Sequence, residues 1–257
     1  MNTLTLNPGR LFALGRSELT LLVRNRATLS IALMMPLVMV LILRNSLGGV
    51  DLEGGASALG AATVTGGIGM VLLLVVYMSL VSAYVARREE LVLKRLRTGE
   101  AGDLEILAGS ALPAVVLALV QVTVLAVAGA LALDAGTPDN PLLLVAGVLA
   151  AVLMLAGMSA LTSAFTRNVE SAGITTLPLF LISSLGSGLF VPLDNMPGKL
   201  ATLCELLPLS GVMTLVRSGW TGTGDGKELL TAAVVTLAWM MITVFAVQRW
   251  FRWEPRR

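Results

Sequence analysis

Apolar residues fall into six long runs along the chain, each separated from the next by a short polar stretch. The runs cover residues 28–47, 61–85, 106–133, 142–165, 172–191 and 229–247. Each comes close to or exceeds the ~20 residues a helix needs to cross a ~30 Å hydrocarbon core. Only helices and closed barrels satisfy their backbone polar groups in lipid, and runs of this length read as helices. The pattern predicts an all-α membrane protein, a single transmembrane domain of residues 1–257 with six spans.

The intervening segments differ in kind. In residues 9–25, Leu11, Phe12, Leu19, Leu22 and Val23 share one side of a helical wheel, and Arg10, Arg16, Ser17, Thr20 and Arg24 share the other, with Glu18 near the edge. A basic amphipathic helix of this kind lies in the membrane interface, although a flap packed on a polar loop has the same pattern. The first span contains Pro36, and Arg44 stands near its far end, where it can snorkel to the headgroups. Residues 48–60 form a glycine-rich connector, 134–141 a turn with Pro138 and Pro141, and 166–171 a polar turn that could give a partner a second, smaller contact. Residues 192–228 are interrupted by Pro192, Pro197 and Pro208. They predict two short helices, 198–207 and 210–220, each too short to span, which are re-entrant or interfacial, dipping into the interface or capping the bundle.

Composition agrees with a membrane setting. The 257 residues are 56% hydrophobic and 13% charged, against about 25% charged for a soluble domain. Mean hydropathy is +0.85. Fourteen of the eighteen lysines and arginines fall in 1–27, 86–105, 166–171 and 248–257, the segments on one side of the six-span topology. Acidic residues divide evenly, and they weigh little in the positive-inside rule. Both termini are therefore expected to face the cytoplasm. No signal-peptide pattern precedes the first run, which is expected to be an uncleaved span. The Ala, Leu, Val and Gly content fits a bacterial plasma-membrane protein. The ending QRWFRWEPRR sets Trp250 and Trp253 among arginines, as in a cytoplasmic interface anchor.

The densest charge lies in residues 86–105. Arg87, Arg88, Lys94, Arg95 and Arg97 alternate there with Glu89, Glu90, Glu100, Asp103 and Glu105. Leu91, Leu93 and Leu96 cannot all face water cheaply, so part of this segment is expected to dock on protein. The basic residues can pair with a partner's carboxylates or with anionic lipid. A solvated loop that only fixes topology is the plainer alternative. In the fifth run, Ser183, Ser184, Gly186, Ser187 and Gly188 permit close helix approach. They mark either ordinary helix packing or a dimer or pathway face.

Much chemistry is excluded. With no histidine, histidine triads and histidine metal sites are ruled out, and a lone Cys204 forms no intrachain disulfide. No catalytic, cofactor or metal residues are assigned. The nearest phosphate-loop fragment, Gly224 to Lys227, has Thr221 in place of the first glycine and Glu228 in place of the hydroxyl residue. No carboxylate pair lies within a span, so the usual acid of a proton- or sodium-coupled carrier is missing. The mid-span polar residues Tyr77, Ser79, Ser82, Gln121 and Thr123 suit helix–helix hydrogen bonds. Basic residues track the topology and do not point to nucleic acid.

Read together, the residues Arg88-Glu89-Glu90, Leu93-Lys94-Arg95-Leu96-Arg97-Thr98 and Glu105-Ile106-Leu107, with the spaced prolines Pro192, Pro197 and Pro208, resemble the type-2 ABC exporter permease family. The resemblance covers nearly the whole chain. Leu91-Val92 stand where members often carry Gly-Thr. The resemblance implies a non-catalytic membrane subunit that pairs with a second copy or a related subunit and binds two cytoplasmic ABC ATPases, which hold ATP and Mg²⁺. The coupling segment implied is Arg87, Arg88, Glu89, Glu90, Leu93, Lys94, Arg95, Leu96 and Arg97. The cargo expected is amphipathic: a drug, natural product, peptide or lipid-linked molecule. A membrane sensor of the same architecture, signalling through a bound ATPase or kinase, is the alternative.

Overall fold

The computed structural model describes residues 55–98, 102–133, 135–189, 197–251 and 253–254, with Arg16, Thr20, Arg24, Ser30, Met34, Val38 and Ile42 as single positions. Those of the expected amphipathic helix that are described, Arg16, Thr20 and Arg24, are helical and exposed, as its polar face requires. The rest of that helix, most of the first expected span, Arg44, Pro36 and Pro192 lie outside the described residues.

Among the described residues the secondary structure is entirely helical. Helix α1 (Gly55–Val71) runs through a π-helical stretch (Leu72–Met78) into α2 (Ser79–Glu89). There follow α3 (Val92–Arg97), α4 (Asp103–Ala132), α5 (Pro141–Phe165), α6 (Val169–Gly186), α7 (Gly198–Glu205), α8 (Pro208–Thr221) and α9 (Gly226–Trp250). Five stretches are long and apolar enough to cross a membrane, and six if the bent pair α7–α8 counts as one. They coincide with the five expected runs from 61–85 onward. The protein is a multi-pass membrane protein.

Local sequence sets the helix ends. Asn140 precedes Pro141 and its side chain accepts the Leu143 N–H at 3.1 Å, so α5 starts at a capped proline. Asn168 and Ser171 exchange hydrogen bonds at the start of α6. Glu105 folds back to accept the Gly102 N–H at 2.9 Å and starts α4.

The continuous rod from α1 to α2 and helix α5 form the centre, and α4, α6 and α9 expose much of their apolar surface. The π-helical stretch alters the usual hydrogen-bond register. Ser159 of α5 reaches that stretch, sharing its hydroxyl proton among the carbonyls of Leu155, Tyr77 and Val76. Tyr77 also meets Thr162 across the helices at 3.2 Å. Thr123, Ser79 and Ser82 instead bond back to their own helices.

The two short helices expected before the last span are present as a bent pair. The axis turns by 90° between α7 and α8. Helix α7 is exposed, but α8 is buried along most of its length against α5, α9 and α1. A helix lying in the interface would keep one face in lipid, whereas this one is a wedge in the bundle. Glycines permit it: a Cβ on Gly219 would come within 2.5 Å of the Leu144 nitrogen, and one on Gly211 within 2.6 Å of the Ala232 carbonyl oxygen. At the bend, Trp239 Nε1 donates to the Leu206 carbonyl at 2.8 Å. Ser210 shares its proton between the Gly186 and Cys204 carbonyls. The carbonyls freed at the break are thus satisfied from inside the protein.

Candidate functional site

The charged segment is assembled where α2 ends. The Glu90 N–H still bonds the Ala86 carbonyl at 2.9 Å, and Leu91 then turns the chain with φ +60°. That left-handed conformation crowds Cβ against the backbone and costs about 1–2 kcal/mol for a residue other than glycine. Helix α3 begins immediately afterwards, with the Arg95 N–H bonding Leu91 at 3.0 Å.

Helix α3 is fastened to the bundle on one side. Leu93 is fully buried, and Val92 and Leu96 are half-buried. Arg97 Nε donates to Asp103 Oδ1 at 3.1 Å, and the Arg97 guanidinium lies 4.9 Å from the centre of the Trp253 ring. Lys94 pairs with Glu254 at 2.8 Å. Phe251 meets Trp253 edge-on at 4.9 Å and Tyr84 at 6.4 Å. The chain's last described residues therefore fold back onto the charged segment. Trp253, expected as a lipid anchor, packs here on Arg97; the basic-aromatic pattern is common to both arrangements. Trp250, at the end of α9, is exposed where an anchor belongs.

Arg88 has a different place from the one expected of a partner contact. It is 1% exposed. Its Nη1 donates to the Ser163 carbonyl at 2.7 Å and its Nη2 to the Thr166 carbonyl at 2.5 Å. These carbonyls lie at the end of α5, where helix carbonyls lack internal partners and carry partial negative charge. Arg88 is therefore an internal helix cap that joins α2 to the 166–171 turn. The spacing Val81, Tyr84, Val85, Arg88 continues a buried face, and that periodicity is the signal in the sequence. Arg87 donates to Ser110 Oγ on α4 at 3.2 Å.

What remains on the surface is small. Glu89, Glu90 and Arg95 are exposed, and no described residue pairs with their side chains. Leu91 is exposed beside them. This gives two acidic groups, one guanidinium and one apolar side chain on a short helix pinned from behind.

The small residues of the fifth run are put to use within the chain. Ser183, Ser184, Gly186 and Ser187 are buried. A Cβ on Gly186 would collide with Leu207 of the bent pair. Arg217 donates to the Ser187 and Gly188 carbonyls, both at 2.7 Å. These residues make room for α7–α8. The face of α6 left open carries Ile174, Leu177, Leu181 and Leu185.

No curated protein matches the chain. Residues 9–220 match the sequence model of the ABC-2 type transporter membrane domain, a span that takes in the charged segment, the bent pair and four of the five long apolar stretches. On that match the chain belongs to the ABC-2 type transporter family.

Proposed function

We propose that the chain is the permease subunit of an ATP-driven exporter in a bacterial plasma membrane, with both termini in the cytoplasm. It pairs with a second permease copy or a related subunit, and two cytoplasmic ABC ATPases, which bind ATP and Mg²⁺, dock on residues 86–97. The cargo is amphipathic. The chain itself performs no chemistry.

The observation supporting this is the division of labour on α3. Leu93, Arg97 and Lys94 fasten the helix to its own domain, while Glu89, Glu90 and Arg95 are exposed with no ion-pair partner among the described residues. A segment that transmits force must be held firmly on one side and be able to bind on the other. Exposed charges can be matched by a complementary partner surface at little cost.

The test is co-reconstitution with the ATPase pair in proteoliposomes. Arg95→Glu, or Glu89→Ala with Glu90→Ala, is expected to leave insertion and basal ATP hydrolysis intact and to reduce cargo movement by about tenfold or more, the effect of losing a charge match worth ~1.4 kcal/mol or more. Unchanged transport in both variants overturns the coupling assignment. ATPase binding without cargo movement in the unaltered protein favours a sensor.

A further inference from the structure

At the end of the bundle away from the charged segment lies a cavity of about 880 Å³. It is bounded by the first turns of α1, by α8 and by the first turns of α9. Its size falls within the range of small-molecule sites, roughly 300–1,000 Å³. We infer that this cavity receives the head group of an amphipathic ligand, a head that donates hydrogen bonds and carries no negative charge. The inference rests on the permease reading for its role, but not for its chemistry.

Ser218 is the first reason. It lines the cavity and is 6% exposed, yet its hydroxyl has no hydrogen-bond partner among the described residues. A hydroxyl that faces a cavity with both its proton and its lone pairs uncommitted is open to bonding by whatever enters. Gly224 keeps this hydroxyl open. A Cβ at Gly224 would lie 2.7 Å from Ser218 Oγ and would cover it.

The second reason is the bias of the wall. Thr65 and Thr231 give their protons to carbonyls of their own helices, at 2.9 and 3.0 Å. Their oxygens are left as acceptors. Glu205, Asp225 and Glu228 add carboxylates, against Lys227 and Arg217. The Arg217 guanidinium is already directed at the Ser187 and Gly188 carbonyls, where it offsets the negative end of α6. The surface therefore offers acceptors in excess of donors. Hydroxyl or ammonium donors satisfy it, whereas an anion meets three carboxylates.

The third reason is shape. Ala58, Ala61 and Ala62 line the α1 side, with Ala232 and Val235 opposite. These small apolar residues leave room for the first carbons of a tail beside the polar head.

The full chain in phosphatidylcholine vesicles tests this, with Cys204→Ser removing the native thiol. A cysteine at the exposed wall position, Ala62→Cys, reports occupancy through its rate of labelling by N-ethylmaleimide. Leu203→Cys, exposed on α7 outside the cavity, is the control. The probes are hexyl glucoside, hexylamine and hexyl phosphate. Slower labelling of Ala62→Cys by hexyl glucoside or hexylamine, with no effect at Leu203→Cys and none from hexyl phosphate, supports the proposal. Which of the two protects tells a hydroxyl head from an ammonium head. Adding Ser218→Ala should weaken protection by about fivefold, the loss of one hydrogen bond of ~1 kcal/mol. No protection by any probe, equal protection by hexyl phosphate, or full protection in the Ser218→Ala chain overturns it. The readout needs neither ATP nor a partner. A chain that protects but does not export keeps the site and loses the exporter reading; one that exports without protection keeps the exporter reading and loses the site.

Discussion

The two ends of the bundle solve the same problem in different ways. At each end an arginine satisfies the open carbonyls of a neighbouring helix: Arg88 those of α5, and Arg217 those that follow α6. At each end the arginine's own helix terminates at a left-handed residue. Near Arg217 that residue is Gly222, at φ +67°; near Arg88 it is Leu91, at φ +60°. Glycine takes this conformation freely and leucine does not. Arg88 is sealed from solvent, whereas Arg217 borders an open cavity. The charged end is thus tightly held behind a strained turn, and the cavity end is relaxed and reachable. A guanidinium cap tolerates either setting, but the consequence of losing it should depend on whether water can replace it.

The largest expected effect follows from that difference. Arg88→Met removes two charge-assisted hydrogen bonds from a dry site, one to the Ser163 carbonyl, which keeps the Thr166 N–H, and one to the Thr166 carbonyl. It should lower stability by about 3 kcal/mol, read as a drop in apparent melting temperature of the purified protein in detergent. A loss under about 1 kcal/mol would mean that the cap contributes little. Arg217→Met should cost about 1–2 kcal/mol, because water in the cavity can take over the carbonyls. Equal losses at the two sites would remove burial as the distinguishing factor. The smallest effect belongs to the turn. Leu91→Gly should raise stability by about 1 kcal/mol by relieving the left-handed strain, less the entropy glycine adds to the unfolded chain. No gain in melting temperature would show that the exposed Leu91 side chain makes up for its backbone.

The charged segment shows how far the sequence could be read. Nine residues there share one composition and stood together as a partner surface. Packing divides them. Arg88 and Leu93 turn inward, Leu96 is half-buried, Arg87, Lys94 and Arg97 find partners on other elements, and Glu89, Glu90 and Arg95 are left outward. The small residues near Ser183 were legible as a close-packing face, but not as the seat of the chain's own bent pair. Nor did the C-terminal aromatics reveal that they return to Arg97, since a Trp beside an arginine suits a membrane interface and a cation–π contact equally well.

By itself the sequence determined the class of protein, the positions of its long apolar helices from residue 61 onward, and where α4, α5 and α6 begin. These depend on properties local to a segment: hydrophobic length against bilayer thickness and capping side chains within one turn of a helix start. Tertiary structure alone decided that α8 is a buried wedge, that Arg88 and Arg217 cap distant helices, and that a hydroxyl-lined cavity opens between α1, α8 and α9. Each of these depends on the rotation of one helix about its axis relative to another. In a nearly uniform apolar helix the sequence barely specifies that rotation, and close packing at glycines and the pairing of open carbonyls settle it.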